Sequence, residues 1–163
     1  MTMKRIKLDE RILPTYTKGE EIFNMVSHIV GAVLGIVTIV LTSVFASIHN
    51  VKFGVISGVI MGIALLLLYT MSSVYHGLSP RFKAKKIFQI IDHCSIFILV
   101  AGCATPFIMC IFLAENIALG WSIFGLIWSI AILGIVLNLY VSSDLWNVVP
   151  FLTLKASLFS NNS

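Results

Sequence analysis

The sequence predicts an all-α fold, a polytopic membrane helix bundle, and two observations carry that prediction. The first is composition, because 58% of the 163 residues are hydrophobic and 11% are charged, with a mean hydropathy of +1.01. A soluble domain of this size has too little interior to bury so much apolar surface. The second is charge distribution. Asp, Glu, Lys and Arg are absent from four long stretches, at 22–51, 53–80, 93–114 and 116–143.

Each uncharged stretch is long enough for one membrane-spanning helix. A hydrocarbon core of about 30 Å needs about 20 apolar residues in helical form, and a helix satisfies its own backbone hydrogen bonds in lipid. We therefore predict four transmembrane helices, near residues 22–46, 53–76, 88–112 and 119–141. The first is expected to remain as an anchor, since its apolar run exceeds the roughly 7–15 residues of a signal-peptide core.

Lysine and arginine predict the orientation, because positive residues are held on the cytoplasmic side during insertion. Five lie in the N-terminal tail and four in the second loop, whereas the first and third loops carry only Lys52. We therefore expect a multi-pass protein of the cell membrane with a cytoplasmic N-terminus. The pI near 9.1 is also typical of nucleic-acid-binding proteins, but these basic residues fall where topology requires them, so no nucleic-acid partner is predicted.

Small residues predict close packing between helices. Gly54, Gly58 and Gly62 recur at four-residue spacing, as do Gly31 and Gly35, and such spacing lets two helix backbones approach. Packing within one chain is the favoured use, and a homo-oligomer formed through these Gly-x-x-x-Gly faces stays open.

The third predicted helix has two further features. Pro106 should distort it, because proline lacks the N–H that a helix interior needs. All three cysteines also lie in this helix, at Cys94, Cys103 and Cys110, so buried free thiols are predicted rather than a disulfide.

Polar side chains gather at one end of the first three predicted helices. They are Glu21, Asn24 and His28 on the first helix, Ser72 and His76 on the second, and Asp92 on the third. Spacings of i, i+3 and i+7 place the first set on one helix face. Because consecutive helices are antiparallel and rise about 1.5 Å per residue, we expect all these side chains at one level near the inner surface.

Asp92 is the only charged residue inside the four predicted helices. An acid in the bilayer costs about 2.5 kcal/mol or more at the centre, so it normally faces a partner or a water-filled cavity. Imidazole and carboxylate suit zinc, and His28, His76 and Asp92 are the candidate ligands. A zinc-bound water could attack an amide or ester carbonyl, with Asp92 as general base. The alternative is that these residues only brace the helices by bonding across them.

Three motifs, in this order along the chain, resemble those of a known protein family. They run from Glu20 to Gly31, from Ser72 to His76, and from Asp92 to Gly102 with Thr105, Pro106 and Phe107 after it. Over about residues 17–141 the chain resembles the bacterial haemolysin III proteins, which are related to the progestin and adiponectin receptors. The resemblance implies a seven-helix membrane protein with zinc near the cytoplasmic leaflet that hydrolyses lipid amides such as ceramide.

The same resemblance assigns roles to these positions. It implies that His76 is a zinc ligand, that Asp92 holds the attacking water and that Ser72 lies beside them, with Glu21 and Asn24 as supporting residues. The family takes two more zinc ligands from a His-x-x-x-His motif on its last helix, and no histidine follows His93 here. We therefore expect zinc binding to be weak or absent, and catalysis to be impaired.

The resemblance implies seven helices, and we expect this chain to form four of them. We divide the chain into a basic cytoplasmic tail at 1–19, a shortened haemolysin III-like membrane domain at 20–141, and an atypical tail at 142–163. A frameshift or premature stop would produce such a tail, in which Trp146 and Phe151 are expected to anchor at the inner membrane interface.

Two other functions stay open beside the hydrolase. The first is a non-enzymatic protein that perturbs or maintains the membrane, with membrane lipid as its partner and the polar residues as braces. The second is a dimeric four-helix transporter, which is disfavoured because transport acids lie deep in the membrane and Asp92 lies near its boundary.

Overall fold

The computed structural model describes residues 13–141. Its elements are α1 (Lys18–Ile48), α2 (Gly54–Gly77), α3 (Lys83–Phe107), a π-helical turn (Ile108–Phe112), α4 (Leu113–Glu115) and α5 (Ile117–Val141). Within the described range there is no strand, which confirms the all-α prediction. Residues 1–12 and the tail at 142–163, with Trp146 and Phe151, lie outside the described residues.

Four helical spans are long and apolar enough to cross a membrane. They are Lys18–Ile48, Gly54–Gly77, Lys83–Phe112 and Ile117–Leu139. Each coincides with one predicted helix, so the prediction of four spans is confirmed. The side of the membrane on which the N-terminus lies stays a prediction.

The first helix begins earlier than predicted because its start is capped. The Thr17 hydroxyl accepts a hydrogen bond from the Glu20 backbone N–H at 3.3 Å, and Glu20 Oε2 accepts one from the Thr17 N–H at 2.8 Å. This reciprocal pair is a capping box. It starts α1 at Lys18, within polar sequence that a search for apolar runs does not include.

The helices pack in a row. Helix α1 packs against α2, α2 against α3, and α3 against α5. The α2–α3 contact is made of small residues, since Ala64 and Ala101 are buried and Gly102 lies directly against the Ala64 side chain. Consecutive helices run antiparallel, so the start of α1, the end of α2 and the start of α3 meet at one end of the bundle, called the polar end below.

The glycine stripes lie between α1 and α2. A Cβ at Gly35 would come within 2.9 Å of the Leu66 backbone nitrogen, and one at Gly31 within 2.6 Å of the Tyr69 ring. Gly58 and Gly62 lie against Thr42 and Ile39 of α1. Packing within the chain, the favoured use of these glycines, is therefore present, while a homo-oligomer stays a prediction.

The predicted distortion at Pro106 takes the form of the π-helical turn that follows it. One residue earlier, the Thr105 hydroxyl donates to the Ala101 carbonyl at 2.8 Å and accepts from Trp128 Nε1 at 3.3 Å. This contact ties α5 to α3. The cysteines Cys94, Cys103 and Cys110 are free thiols, as predicted, but the prediction that they are buried is wrong. Cys94 and Cys110 are half-buried, and Cys103 is exposed on the outer face of the helix.

Candidate functional site

The polar end holds a hydrogen-bonded network centred on Glu21. Glu21 Oε2 lies 2.7 Å from His76 Nδ1, and Lys85 Nζ donates to Glu21 Oε1 at 2.6 Å. The same ammonium donates to the Leu78 carbonyl at 2.8 Å. One carboxylate on α1 thus joins the imidazole at the end of α2 to the ammonium at the start of α3.

This network is shielded from solvent. The side chain of Lys85 is 1% exposed and that of Glu21 18%, and His76 is 8% exposed. A buried charge is tolerated only when it is paired and its hydrogen bonds are satisfied. Lys85 meets this condition through Glu21 and the Leu78 carbonyl, so the ion pair is part of the packed structure.

Aromatic rings surround the network. Tyr16 meets the His76 ring edge-on at a centroid distance of 5.6 Å, and Tyr75 lies 4.7 Å from it. Lys85 Nζ also stands 5.0 Å from the centre of the Tyr75 ring. Partial burial raises the pKa of Tyr16, and the negative charges of Glu21 and Asp92 raise it further.

His28 lies beside His76, as the predicted common level requires. The two ring centroids are 5.8 Å apart, and Tyr69 lies 5.7 Å from His28 on α2. The Nδ1 atom of His28 is buried and has no hydrogen-bond partner in the described part of the chain. This nitrogen is therefore a buried polar atom whose presence at the site is not explained by a hydrogen bond among the described residues.

Within residues 13–141, the hydrogen bonds that form this network do not include Asp92 or Ser72. Asp92 Oδ2 lies 4.0 Å from His93 Nδ1. The negative charge of Asp92 contributes to the raised pKa of Tyr16. His93 Nδ1 in turn lies 2.6 Å from the Gln89 carbonyl oxygen of the same helix. Ser72 is buried on α2, at 4% exposure, one turn before His76.

Asn24 lies at the rim of an open cavity. This cavity has a volume of 390 Å³ and is lined by Tyr16, Gly19, Glu20, Phe23 and Asn24. Because Tyr16 also contacts His76, the cavity opens beside the network. His49, by contrast, is exposed at the other end of α1. Its ring stacks on the Phe45 ring, with the two ring centroids 6.5 Å apart.

The zinc that the resemblance implies requires a set of donors around one point. Two imidazoles on one tetrahedral zinc, with zinc–nitrogen distances of about 2.0–2.1 Å, have ring centroids about 5 Å apart, and the 5.8 Å between His28 and His76 is somewhat wider. Within residues 13–141, moreover, no group of three or more His, Cys, Asp or Glu side chains could hold a metal ion. The described residues therefore do not form a complete zinc site.

Lys85 is a residue of this network that hydropathy and charge distribution do not predict. In the sequence its charge is explained by membrane topology, together with the other basic residues of the second loop. The available signal was spacing, because Lys85, Gln89 and Asp92 stand at i, i+4 and i+7, which places them on one helix face. Lys85 and Gln89 are each 1% exposed, so that face points into the protein.

Comparison with known proteins places these features in a family. The family model described as Haemolysin-III related matches residues 16–159. The chain is 34% identical over 121 residues to Hemolysin-3 of Bacillus cereus, covering 74% of this chain and 53% of that protein. It is also 34% identical over 125 residues to the Hemolysin-3 homolog of Bacillus subtilis, covering 77% of this chain and 57% of that protein.

The chain thus spans about half the length of these curated relatives. No solved structure matches it.

Proposed function

This chain belongs to the haemolysin-III-related family, and we propose that it is a cell-membrane protein with a cytoplasmic N-terminus whose polar end holds part of a zinc-dependent site for lipid-amide hydrolysis. The observation that carries the proposal is the pair formed by His28 and His76. Their rings lie 5.8 Å apart, and the buried His28 Nδ1 lacks a partner among the described residues.

The remaining chemistry of the polar end supports the same function. Imidazole and carboxylate donors suit zinc, and an ionisable residue within a membrane-spanning helix is a functional residue by default. Asp92 would orient water, and Ser72, buried one turn before His76, would lie beside it. Asn24 lines the cavity through which a lipid headgroup would approach.

The site is proposed as partial because the described residues do not assemble three donors. We therefore expect this chain to bind zinc weakly and to hydrolyse lipid amides slowly or not at all. His28, His76 and Asp92 are the ligands that it would contribute.

Zinc titration of the purified chain in detergent, in competition with a fluorescent chelator, tests this function. Weak saturable binding is expected, with loss in His76→Ala and no change in His49→Ala, which removes an exposed imidazole at the other end of α1. Tight one-to-one binding that is lost in His76→Ala would contradict the impairment. If zinc binding is unchanged in His76→Ala, the proposed zinc site at the polar end is wrong.

A non-enzymatic, membrane-perturbing function is the second candidate. It is favoured by the way in which Glu21 joins His76 and Lys85, since such a network also braces three helices without any reaction. Dye release from lipid vesicles separates the two functions. If His76→Ala folds and releases dye as the wild type does, the membrane activity is independent of the imidazole. If His76→Ala loses both dye release and zinc binding, the His76 imidazole is needed for both activities.

A further inference from the structure

The contact between Glu21 and His76 involves one particular nitrogen of the imidazole ring. It is Nδ1 that lies 2.7 Å from Glu21 Oε2. A neutral imidazole carries its proton on either Nδ1 or Nε2, and the partner of one nitrogen decides which. The identity of the group that faces Nδ1 therefore determines the chemistry available at Nε2.

Glu21 can only accept a hydrogen bond in this arrangement. Its other oxygen, Oε1, receives the Lys85 ammonium at 2.6 Å, and an ammonium has donors only. A carboxylate paired in this way has no proton to offer to His76. The short contact between Nδ1 and Oε2 is then a hydrogen bond from Nδ1–H to the carboxylate.

The two other histidines at the polar end have different surroundings at Nδ1. His93 Nδ1 contacts the Gln89 carbonyl of its own helix, and His28 Nδ1 has no hydrogen-bond partner in the described range. His76 is thus singled out by a carboxylate from α1 that is itself fixed by α3.

We propose that Glu21 is a positioning residue which, fixed by Lys85, holds His76 in the Nδ1–H tautomer and leaves Nε2 with the free lone pair. In the Nδ1–H tautomer, Nε2 is free to bind a metal ion or to accept a proton. A carboxylate that accepts the Nδ1–H hydrogen bond also raises the basicity of a metal-binding histidine. The use of Nε2 for zinc rests on the proposed function, whereas the tautomer does not.

Nitrogen NMR of the purified full chain, labelled with ¹⁵N-histidine in detergent at pH 8, tests the tautomer directly. Protonated and unprotonated ring nitrogens resonate far apart, and the spectrum of His76→Gln identifies the His76 signals by their loss. We expect a protonated Nδ1 and an unprotonated Nε2 in the wild type. The reverse tautomer, or a ring protonated on both nitrogens, would overturn the proposal.

Glu21→Gln sharpens the test because an amide has one acceptor and one donor. Lys85 should take the amide oxygen, which turns the NH₂ group toward Nδ1 and moves the imidazole proton to Nε2. Glu20→Gln is the matched control, since it removes the same charge one residue away and a glutamine at this position still completes the capping box. An unchanged tautomer in Glu21→Gln would show that Glu21 does not set it.

Zinc titration of the same proteins keeps the two proposals distinguishable. If the chain binds zinc through His76, Glu21→Gln should weaken binding about 10- to 100-fold, the usual cost of losing an outer-shell carboxylate. If the tautomer inverts in Glu21→Gln but the wild type binds no zinc, the positioning role stands and the zinc site fails.

Discussion

Lys85 and Glu21 are joined across 2.6 Å, although they lie on α3 and α1, two helices that each pack mainly against α2. The ion pair therefore spans the polar end of α2. It places a positive charge, a negative charge and the His76 imidazole in one buried contact, and it makes the geometry of that imidazole depend on all three helices.

Lys85→Met should destabilise the fold because it leaves the Glu21 carboxylate largely buried without its counter-charge. Removing one partner of a buried ion pair typically costs about 3–5 kcal/mol, and we expect a value of about 3 kcal/mol because Glu21 is not fully buried. Denaturant unfolding in detergent, followed by circular dichroism, measures this change.

The double variant Glu21→Gln/Lys85→Met should recover part of that loss, since no unpaired charge remains. Lys52→Met is the control, because Lys52 is exposed in the first loop and such a change is usually within about 0.5 kcal/mol. Strictly additive single effects would show that the two charges do not interact.

Gly35→Ala should lower stability by about 1–3 kcal/mol, the usual cost of overpacking a well-packed contact. Its new Cβ would meet the backbone nitrogen of Leu66 at 2.9 Å, and a backbone atom of a neighbouring helix cannot move aside as a side chain can.

Gly125→Ala is the matched change, because nothing lies within 4 Å of a Cβ at Gly125. It should raise stability by about 0.5–1 kcal/mol through helix propensity alone. The same unfolding measurement compares the two variants. An equal response to both would mean that α1 and α2 are not in the close contact described.

His28→Leu should stabilise the protein by about 1 kcal/mol, because it removes a buried nitrogen that has no hydrogen-bond partner in residues 13–141, and such a group costs about 1–3 kcal/mol. The variant should bind less zinc than the wild type. Higher stability with lower binding is the signature of a residue kept for its site, so a loss of stability would argue for a structural role instead.

Tyr16 should ionise above the ordinary tyrosine pKa of about 10, because its partial burial and the charges of Glu21 and Asp92 raise its pKa. The unfolded chain loses this proton first as pH rises, so the contribution of Tyr16 to stability is present below pH of about 10 and is lost as pH rises through the folded-state value.

Ultraviolet titration of tyrosinate, as the difference between the wild type and Tyr16→Phe, measures this pKa. Glu21→Gln should bring it closer to the ordinary value, because one of the negative charges is gone. A Tyr16 pKa below that of a free tyrosine would contradict the location of Tyr16 beside these acids.

The spans were predictable because the membrane imposes a simple requirement, the absence of charge over about 20 residues. The start of α1 was not, because Thr17 and Glu20 set it through a local capping box within a polar segment. Helix positions along the membrane normal follow from counting residues, so the meeting of His28 and His76 at one level was also predictable.

The partner of His76 could not be predicted in the same way. Asp92 is the acid that the sequence predicts in the site, because it is the only charged residue inside the four predicted helices, yet the acid that contacts His76 is Glu21. Which of two acids reaches an imidazole depends on the rotation of each helix about its axis and on side-chain rotamers. Neither is encoded in hydropathy, and the burial of Lys85 depends on both.

Glu21 and Lys85 are 64 residues apart in the chain, which has a consequence for biosynthesis. The carboxylate leaves the ribosome well before its ammonium partner has been made, so the hairpin of α1 and α2 first exists with an acid that lacks its counter-ion. Only after α3 has been inserted can Lys85 pair with Glu21 and fix it against His76. We therefore expect an insertion intermediate halted before α3 to lack this buried ion pair.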